Sequence, residues 1–391
     1  MRLFRNISQL ASPGHGLVRD AAIAVESGVV AWCGPAPEWT GNADTEVDLC
    51  GRAVIPALID PHTHAIWAGD RLADFEERAC GVGYEAILAR GGGIRSTIAS
   101  TAAASLDELA ALAQPRIESL LRSGAATIEV KSGYGFTVEA ELRMLEAIRQ
   151  VTPLVKARLV PTLLIHIPPR DAVDRSDYVD EVLTCLIPET AARGLAQSVD
   201  VFVESEAWTA GEACRFIRCA RLHGLKAKLH TEQFHRVGGL ELGVREQVQS
   251  VDHLEACSPE QFKLLAGSRT VATILPGVTL HLGIPAAPGR ALIDSGATVA
   301  VGTDLNPGSS PLYSMANALA LAVRLNGLTP TEALTAGTTN AAAALGLSDC
   351  GRLEPGLRAD LAVLESADWR DLVYSLGTNP VKEVYVAGER A

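Results

Sequence analysis

The stretch from Asp60 to Arg71, DPHTHAIWAGDR, gives the first indication of both the fold and the chemistry. It follows the apolar run AVIPALI at 53–59 and brings two histidines, His62 and His64, that are one residue apart. Alternate side chains of a strand share a face, so both imidazoles can reach one point at the strand's end. Imidazole is the most common protein ligand for divalent transition metals, so this pair is half of a metal site. Two ordinary histidines would give the same short pattern, and the rest of the chain decides between these interpretations.

The bulk composition limits the class of protein. A chain of 391 residues, 48% hydrophobic and 20% charged, is long enough for a large core and typical of a globular enzyme. The formal net charge of −12 argues against a nucleic-acid partner, which requires a basic surface. The eight cysteines contain no CxxC pair and favour a reduced, cytoplasmic protein. We expect no membrane contact, because the sequence has neither an apolar signal core nor a stretch of membrane-spanning length.

Eight apolar segments, separated by amphipathic stretches, predict a closed parallel barrel. Such strands covered by helices are typical of α/β proteins, and eight units favour a (β/α)8 TIM-like barrel. The alternative is a doubly wound open sheet, but no glycine-rich phosphate turn follows the first strand. The predicted strands are 54–60, 127–131, 157–165, 199–203, 226–230, 250–253, 270–275 and 298–303.

The two ends of the chain share a pattern of short apolar runs punctuated by glycines, which is typical of strands and turns. Neither end is long enough to form a stable sheet alone, so we expect both to pair in one small β-sandwich domain. The predicted domains are a composite β domain, 1–55 with 350–391, and a catalytic barrel over 56–349.

Polar residues end seven of the eight predicted strands, where the active site of a (β/α)8 barrel lies. Five of the chain's nine histidines fall at these ends, which is hard to explain by core packing alone. The strand-end residues are His62 with His64, Lys131 with Tyr134, His166, Glu204, His230, His253, Pro276 and Asp304.

With these motifs the chain resembles the amidohydrolase superfamily, and within it the members that open an imidazolone ring. The general marks are VIPALIDPHTH, KLHTEQ, SVDHLEA, VAVGTDLNPG and the tail GRLEPGLRADLAVL. The closer marks are AGDR, GYEAILARGGGIRSTIAST, TIEVKSGYGF, HTEQFHRVGG and TDLNPGSSP. The resemblance covers nearly the whole chain and implies one divalent metal ion, zinc or iron. Its implied ligands are His62, His64, His230 and Asp304.

This ligand set also makes chemical sense. Three neutral imidazoles and one carboxylate leave room for a water molecule, whose pKa the cation lowers. Asp304 can accept a proton from this water, and His253 can stabilise an oxyanion or transfer protons. A site with two metals stays open as an alternative, in which Glu204 from the fourth strand bridges the ions and His253 becomes a ligand. One metal is favoured, because the bridging lysine of two-metal relatives is absent there and Lys131 belongs to the second strand.

The resemblance also implies a pocket for the carboxylate substrate 4-imidazolone-5-propanoate. The planar fork of Arg71 suits the propionate, although a solvated loop arginine is the alternative interpretation. For Tyr84 the alternative is a residue that only packs a helix. The implied substrate-binding residues are Arg71, Tyr84, Tyr134, His166, Gln233, Asn306, Gly308 and Ser309.

The predicted reaction is hydrolysis of the cyclic amide C–N bond, which gives N-formimino-L-glutamate in histidine degradation. One alternative is a deaminase of the same superfamily that acts on a purine or pyrimidine-like ring, with Glu232 near the place of its general acid. An uncharged base would, however, give Arg71 nothing to pair with. A second alternative, a scaffold without catalysis, is disfavoured because all four ligands are present. The sequence leaves the metal and the oligomeric state open, and a homodimer is expected from the abundance of two-fold oligomers.

Overall fold

The computed structural model describes residues 1–82, 86, 90–169 and 174–391, so the prediction for Tyr84 lies outside the described residues. No helix in these ranges is long and apolar enough to cross a membrane. The strands are β1 (Arg2–Ser12), β2 (Gly16–Glu26), β3 (Val29–Pro35), β4 (Thr45–Pro56), β5 (Leu58–Asp60), β6 (Ala125–Lys131), β7 (Arg158–Ile165), β8 (Ser198–Val203), β9 (Lys226–Thr231), β10 (Ser250–His253), β11 (Val271–Ile274), β12 (Val299–Val301), β13 (Leu361–Leu364), β14 (Val381–Val386) and β15 (Glu389–Arg390).

The eight-stranded sheet confirms the predicted barrel. Its parallel strands β5 to β12 follow chain order, each hydrogen-bonded to the next. The sheet closes just beyond its first and last strands, where Thr63 pairs in parallel with Leu305. There the N–H of Asp304 donates to the carbonyl of His62 at 3.0 Å. Closure of the barrel therefore brings the HxH segment against the aspartate that was predicted to share its metal.

The strands from both ends of the chain form a separate mixed sheet in the order β15-β14-β13-β4-β1-β2-β3. The pairing of β13 with β4 is antiparallel and joins the C-terminal strands to the N-terminal ones. Phe4, Ile23, Leu361 and Tyr385 belong to the buried apolar cluster of this sheet. The prediction of a small β unit built from both termini is confirmed.

The predicted strand 54–60 is divided between the two sheets. Up to Pro56 the chain pairs with β13, whereas the N–H of Leu58 donates to the carbonyl of Gly124 at 2.8 Å, beside β6. Between them the N–H of Ala57 still donates to Asp360, at 2.9 Å. The apolar character of the run is the same in both sheets, which is why the sequence pattern did not reveal the change of partner.

Helices alternate with the barrel strands as the sequence predicts. The helix over Leu106–Arg122 begins with a capping box, in which Ser105 and Glu108 each bond the other's backbone N–H, and it buries one apolar face. The α-helices in the described ranges are α1 (Leu72–Ala79), α2 (Ile94–Ala103), α3 (Leu106–Arg122), α4 (Val138–Val151), α5 (Arg175–Glu181), α6 (Ile187–Ala192), α7 (Ala210–Leu222), α8 (Gly239–Arg245), α9 (Pro259–Ala266), α10 (Pro276–Leu282), α11 (Gly289–Asp294), α12 (Met315–Leu325), α13 (Pro330–Ala336), α14 (Thr339–Ala344) and α15 (Asp371–Tyr374).

Candidate metal centre

Three buried histidines converge at the carboxyl ends of β5 and β9. One ring nitrogen from each of His62, His64 and His230 lies within 4.8 Å of the other two. The Nε2 atoms of His230 and His64 are 3.4 Å apart. Asp304 completes the group, because its Oδ1 lies 3.3 Å from Nε2 of His62 and 3.2 Å from Nε2 of His64. The structure thus brings together all four ligands that the sequence predicts.

The protonation states of His64, His230 and Asp304 suit a cation. Burial lowers the pKa of both His64 and His230, so these imidazoles are neutral and keep a lone pair for a metal. Burial opposes ionisation of Asp304, but contacts with His62 and His64 outweigh it and lower the pKa of the carboxyl well below its usual value. For His62, burial and Lys131 lower the pKa, yet the contacts with Asp252 and Asp304 raise it overall.

The donor atoms fit a divalent transition metal. Nε2 of His62 and Oδ1 of Asp304 are both buried and have no hydrogen-bond partner within the described ranges. Buried polar atoms almost always have a partner, so two such atoms aimed at one point indicate a ligand there. Three imidazole nitrogens with one carboxylate oxygen are a donor set typical of zinc and other first-row metals.

Two further carboxylates support the histidines from behind. Nδ1 of His62 lies 2.6 Å from Oδ2 of Asp252, and Nδ1 of His230 lies 3.0 Å from Oδ2 of Asp200. Such carboxylates fix the orientation and the tautomer of a metal-binding imidazole. Neither aspartate was predicted from the sequence. The available signal was a charged residue within each apolar strand, in VDVFV and SVDH.

His253 ends β10 beside the four predicted ligands. Its ring centroid is 5.3 Å from that of His230 and 5.8 Å from that of His62. On the other side, its Nδ1 lies 3.6 Å from a carboxylate oxygen of Glu255. His253 is therefore close enough to act at the metal site.

Two of the predicted substrate residues, Tyr134 and His166, lie beside the ring of His64. The ring of His166 lies 5.8 Å from that of His64, and the Tyr134 ring lies 5.9 Å from His64 and 5.6 Å from His166. Burial raises the pKa of Tyr134 and lowers that of His166 to about 3. Both side chains are therefore neutral near pH 7, and both can form hydrogen bonds to a ligand.

Arg71 is the N-cap residue of α1, and its guanidinium is largely enclosed. Its Nε pairs with Asp74, and its Nη1 donates to Oγ1 of Thr97 at 3.3 Å. A Cβ atom placed on Gly308 would come within 3.5 Å of Nη1 of Arg71. The structure thus brings Arg71 next to one of the other predicted substrate residues.

A tight turn after β12 holds Asp304. Nδ2 of Asn306 donates to Oδ2 of Asp304 at 3.0 Å, while its Oδ1 accepts the N–H groups of Gly308 and Ser309, each at 2.8 Å. In this arrangement Asn306 orients the carboxylate, and Gly308 and Ser309 line the turn. Gln233 is also buried, three residues beyond His230.

The two glutamates that the alternatives involve differ in their contacts, since both carboxylate oxygens of Glu204 accept hydrogen bonds, whereas Oε2 of Glu232 is buried without a partner in the described ranges. Glu204 accepts the backbone N–H groups of Ser205, Phe234 and His235, at 2.8, 2.9 and 3.1 Å. Burial raises the pKa of Glu232, and its Oε1 accepts the N–H of Leu240 at 3.4 Å.

A parallel barrel with three converging histidines and Asp304 at its strand ends is typical of metal-dependent hydrolases, and residues 253–391 match the model of the Amidohydrolase family. The chain is 56% identical to the imidazolonepropionase of Deinococcus deserti, over 99% of both chains. It is equally similar, at 56% over 99% of this chain and 98% of the other, to the imidazolonepropionase of Deinococcus radiodurans. The chain belongs to the imidazolonepropionase family of amidohydrolases.

Solved structures with the same fold are more distant in sequence. A zinc-bound adenosine deaminase from Xanthomonas campestris has a TM-score of 0.76 at 18% identity, over 100% of this chain and 92% of the other. A triazine hydrolase variant has a TM-score of 0.79 at 18% identity, over 100% and 94%. At this identity the likeness establishes the fold alone.

Proposed function

We propose that the protein hydrolyses the ring C–N bond of 4-imidazolone-5-propanoate to give N-formimino-L-glutamate, a step of histidine degradation. The observation that carries this proposal is the convergence of three histidine nitrogens and Asp304 in a chain 56% identical to proteins named imidazolonepropionase. His62, His64, His230 and Asp304 would hold one divalent ion, zinc or iron. Such an ion supplies Lewis acidity, which polarises a carbonyl group and lowers the pKa of a water molecule.

In the proposed reaction Asp304 acts as the base. Its low pKa keeps it ionised at neutral pH, and Asn306 holds its Oδ2, so the carboxylate is oriented to take a proton from the attacking water. The water oxygen bonds to the ring carbonyl carbon, and His253 stabilises the charge that develops on the carbonyl oxygen. The ring C–N bond then breaks, and the leaving nitrogen receives a proton from Asp304 or His253.

The propionate of the substrate is assigned to Arg71. Since Tyr134 and His166 are neutral, Arg71 is the cation among the predicted substrate residues that lie in the described ranges. Tyr134, His166 and Gln233 would contact the ring, and Gly308 and Ser309 would complete the pocket beside Arg71. We also retain Tyr84 as a proposed substrate residue.

One metal ion is favoured over two. A second ion would need a bridging carboxylate from β8, but the Glu204 carboxylate accepts three backbone N–H groups. A lysine bridge is also disfavoured, because Nζ of Lys131 pairs with Glu129 and Asp200 at 2.6 and 2.7 Å.

We also propose the domain boundaries, the cellular location and the oligomeric state. Residues 1–55 with 350–391 would form one domain and 56–349 the catalytic one, since the change of sheet occurs between Pro56 and Leu58. Free cysteines throughout the described chain support a cytoplasmic location. A homodimer is proposed on general grounds, because two-fold oligomers are common.

The test combines metal analysis with a product assay on the purified protein. We expect one zinc or iron per chain and formation of formiminoglutamate from the imidazolone. Guanine or another uncharged base serves as the competing substrate. Faster turnover of such a base would favour the deaminase alternative and contradict the proposed substrate.

A further inference from the structure

Five charged side chains are buried inside the barrel behind the histidines. These residues, which we call the ionic cluster, are Glu129, Lys131, Asp200, Lys228 and Asp252, and none of them is exposed to solvent. Burial of charge is unfavourable unless each group is paired, so such a cluster is costly to maintain. The reaction proposed above gives the two lysines no role.

One arm of the ionic cluster leads to His62. Nζ of Lys228 lies 3.4 Å from Oδ2 of Asp252, the carboxylate oxygen that is 2.6 Å from Nδ1 of His62. Nζ of Lys228 also donates to the carbonyl of Pro61 at 2.7 Å. Lys228 therefore contacts two groups that position His62, which are the carboxylate of Asp252 and the carbonyl of Pro61.

The second arm leads to His230 and joins the first. Nζ of Lys131 lies 2.7 Å from Oδ2 of Asp200, and the same oxygen is 3.0 Å from Nδ1 of His230. Oε2 of Glu129 contacts both lysines, at 2.6 Å from Nζ of Lys131 and 2.9 Å from Nζ of Lys228. The two arms form one continuous network.

We propose that Lys228 and Lys131 are positioning residues for the metal ion. They fix Asp252 and Asp200, which in turn hold the Nδ1 sides of His62 and His230, so that both Nε2 atoms face the metal. An imidazole can otherwise rotate or change tautomer, and a fixed carboxylate prevents both. This inference rests on the ligand set of the proposed function.

The ionic cluster also balances charge. Three carboxylates and two ammonium groups leave one net negative charge, and with Asp304 the two negative charges would neutralise a divalent cation. The electrostatic role and the positioning role of Lys228 therefore predict opposite changes in metal affinity when the lysine is removed. A more negative cluster would bind the metal more tightly, whereas a loss of orientation at His62 would weaken binding.

The experiment measures Co²⁺ binding to protein from which the metal has been removed. Affinity is obtained by competition with a chromophoric chelator, and the geometry of the site is read from the visible absorption of bound Co²⁺. We expect Lys228→Met and Lys131→Met each to weaken Co²⁺ binding by about 10–100-fold and to alter the absorption band. Arg143→Met is the control, since Arg143 is a half-buried cation that donates to Ala102 at 2.6 Å, outside the cluster.

The outcomes separate the inference from the proposed function. The positioning role would be overturned if both lysine variants kept the Co²⁺ affinity and absorption spectrum of the wild type, or if they bound Co²⁺ more tightly. It would also be overturned if they only melted at a lower temperature while the Co²⁺ spectrum stayed unchanged. If the methionine variants do not fold, Lys228→Gln and Lys131→Gln keep a polar side chain while removing the charge, and the same loss of affinity with an altered absorption band is expected. Failure of the wild type itself to bind Co²⁺ through histidines would refute the proposed ligand set.

Discussion

Replacement of Arg71 by methionine tests how the protein recognises its substrate. The guanidinium side chain is only 10% exposed and its partner Asp74 only 17%, so both charges are partly desolvated. Loss of a hydrogen bond to a charged group costs about 1.5–3 kcal/mol, and Arg71 can give two to a carboxylate. We therefore expect Arg71→Met to weaken substrate binding by about 2–4 kcal/mol, or about 30–1000-fold.

Asp74 makes this prediction more specific. Without Arg71, its carboxylate keeps the N–H of Gly93, at 2.9 Å, but loses its cation and repels the propionate. The double variant Arg71→Met with Asp74→Asn should therefore recover part of the lost affinity, because the repulsion is removed along with the attraction. Asp74→Asn alone should weaken binding less than Arg71→Met does.

The assay compares the Michaelis constant and the turnover of two substrates, the imidazolone propanoate and an analogue without the propionate. The three variants should lose affinity for the propanoate and change little with the analogue. Equal losses for both substrates would refute the reasoning, since they would mean that Arg71 supports the fold or the metal site. Unchanged metal content in each variant is the necessary control.

Three further predictions concern the metal centre and its surroundings. His230→Ala should lose the metal because a ligand is removed, and full occupancy by elemental analysis, or two tightly held metals per wild-type chain, would contradict the assignment. His253→Ala should keep the metal but lose about 100–1000-fold in turnover, the usual cost of one oxyanion donor; metal loss instead would make His253 a ligand. His166 has a pKa near 3 when folded and about 6.5 when unfolded, so the unfolded state binds more protons between these values and stability should rise with pH there. His166→Asn should reduce the slope of the free energy of unfolding against pH between about 4 and 6.5, and a slope equal to that of the wild type would refute this.

Much of this architecture could be predicted because the active site of a (β/α)8 barrel lies at the carboxyl ends of its strands, so the position of a residue in the sequence indicates its place in the fold. A polar residue at the end of a predicted barrel strand must lie at the carboxyl end of the sheet, so His62, His230 and Asp304 could be placed at one edge with the other strand-end residues. That these three share a metal was implied by the resemblance to amidohydrolases. Barrel closure then brings Asp304 to the His62 backbone, at 3.0 Å between N and O. The order of the strands is enough to predict that the last strand of the barrel lies beside the first.

The ionic cluster was harder to predict, since its lysines are charged residues within strands. Taken alone, Lys228 in KAKLH resembles a solvent-facing residue of a half-exposed strand. Its burial follows from the barrel interior, where each charge finds a partner on another strand. Pairing between strands that are distant in sequence leaves no local pattern.

His253 shows that local backbone conformation can also override the strand pattern. Its register partner on β9 is Thr231, whereas Asp252 pairs with His230, so simple alternation assigns His253 to the face opposite the metal ligands. Yet its ring lies 5.3 Å from that of His230, because the backbone leaves the strand with φ at 86° for His253 and 72° for Leu254. Asp304 likewise has a φ of 51°. Left-handed conformations in residues other than glycine cost about 1–3 kcal/mol each and persist where the surroundings enforce them. At these strand ends the surroundings hold His253, Leu254 and Asp304 in conformations that the chain disfavours locally. No pattern of apolar and polar residues encodes this.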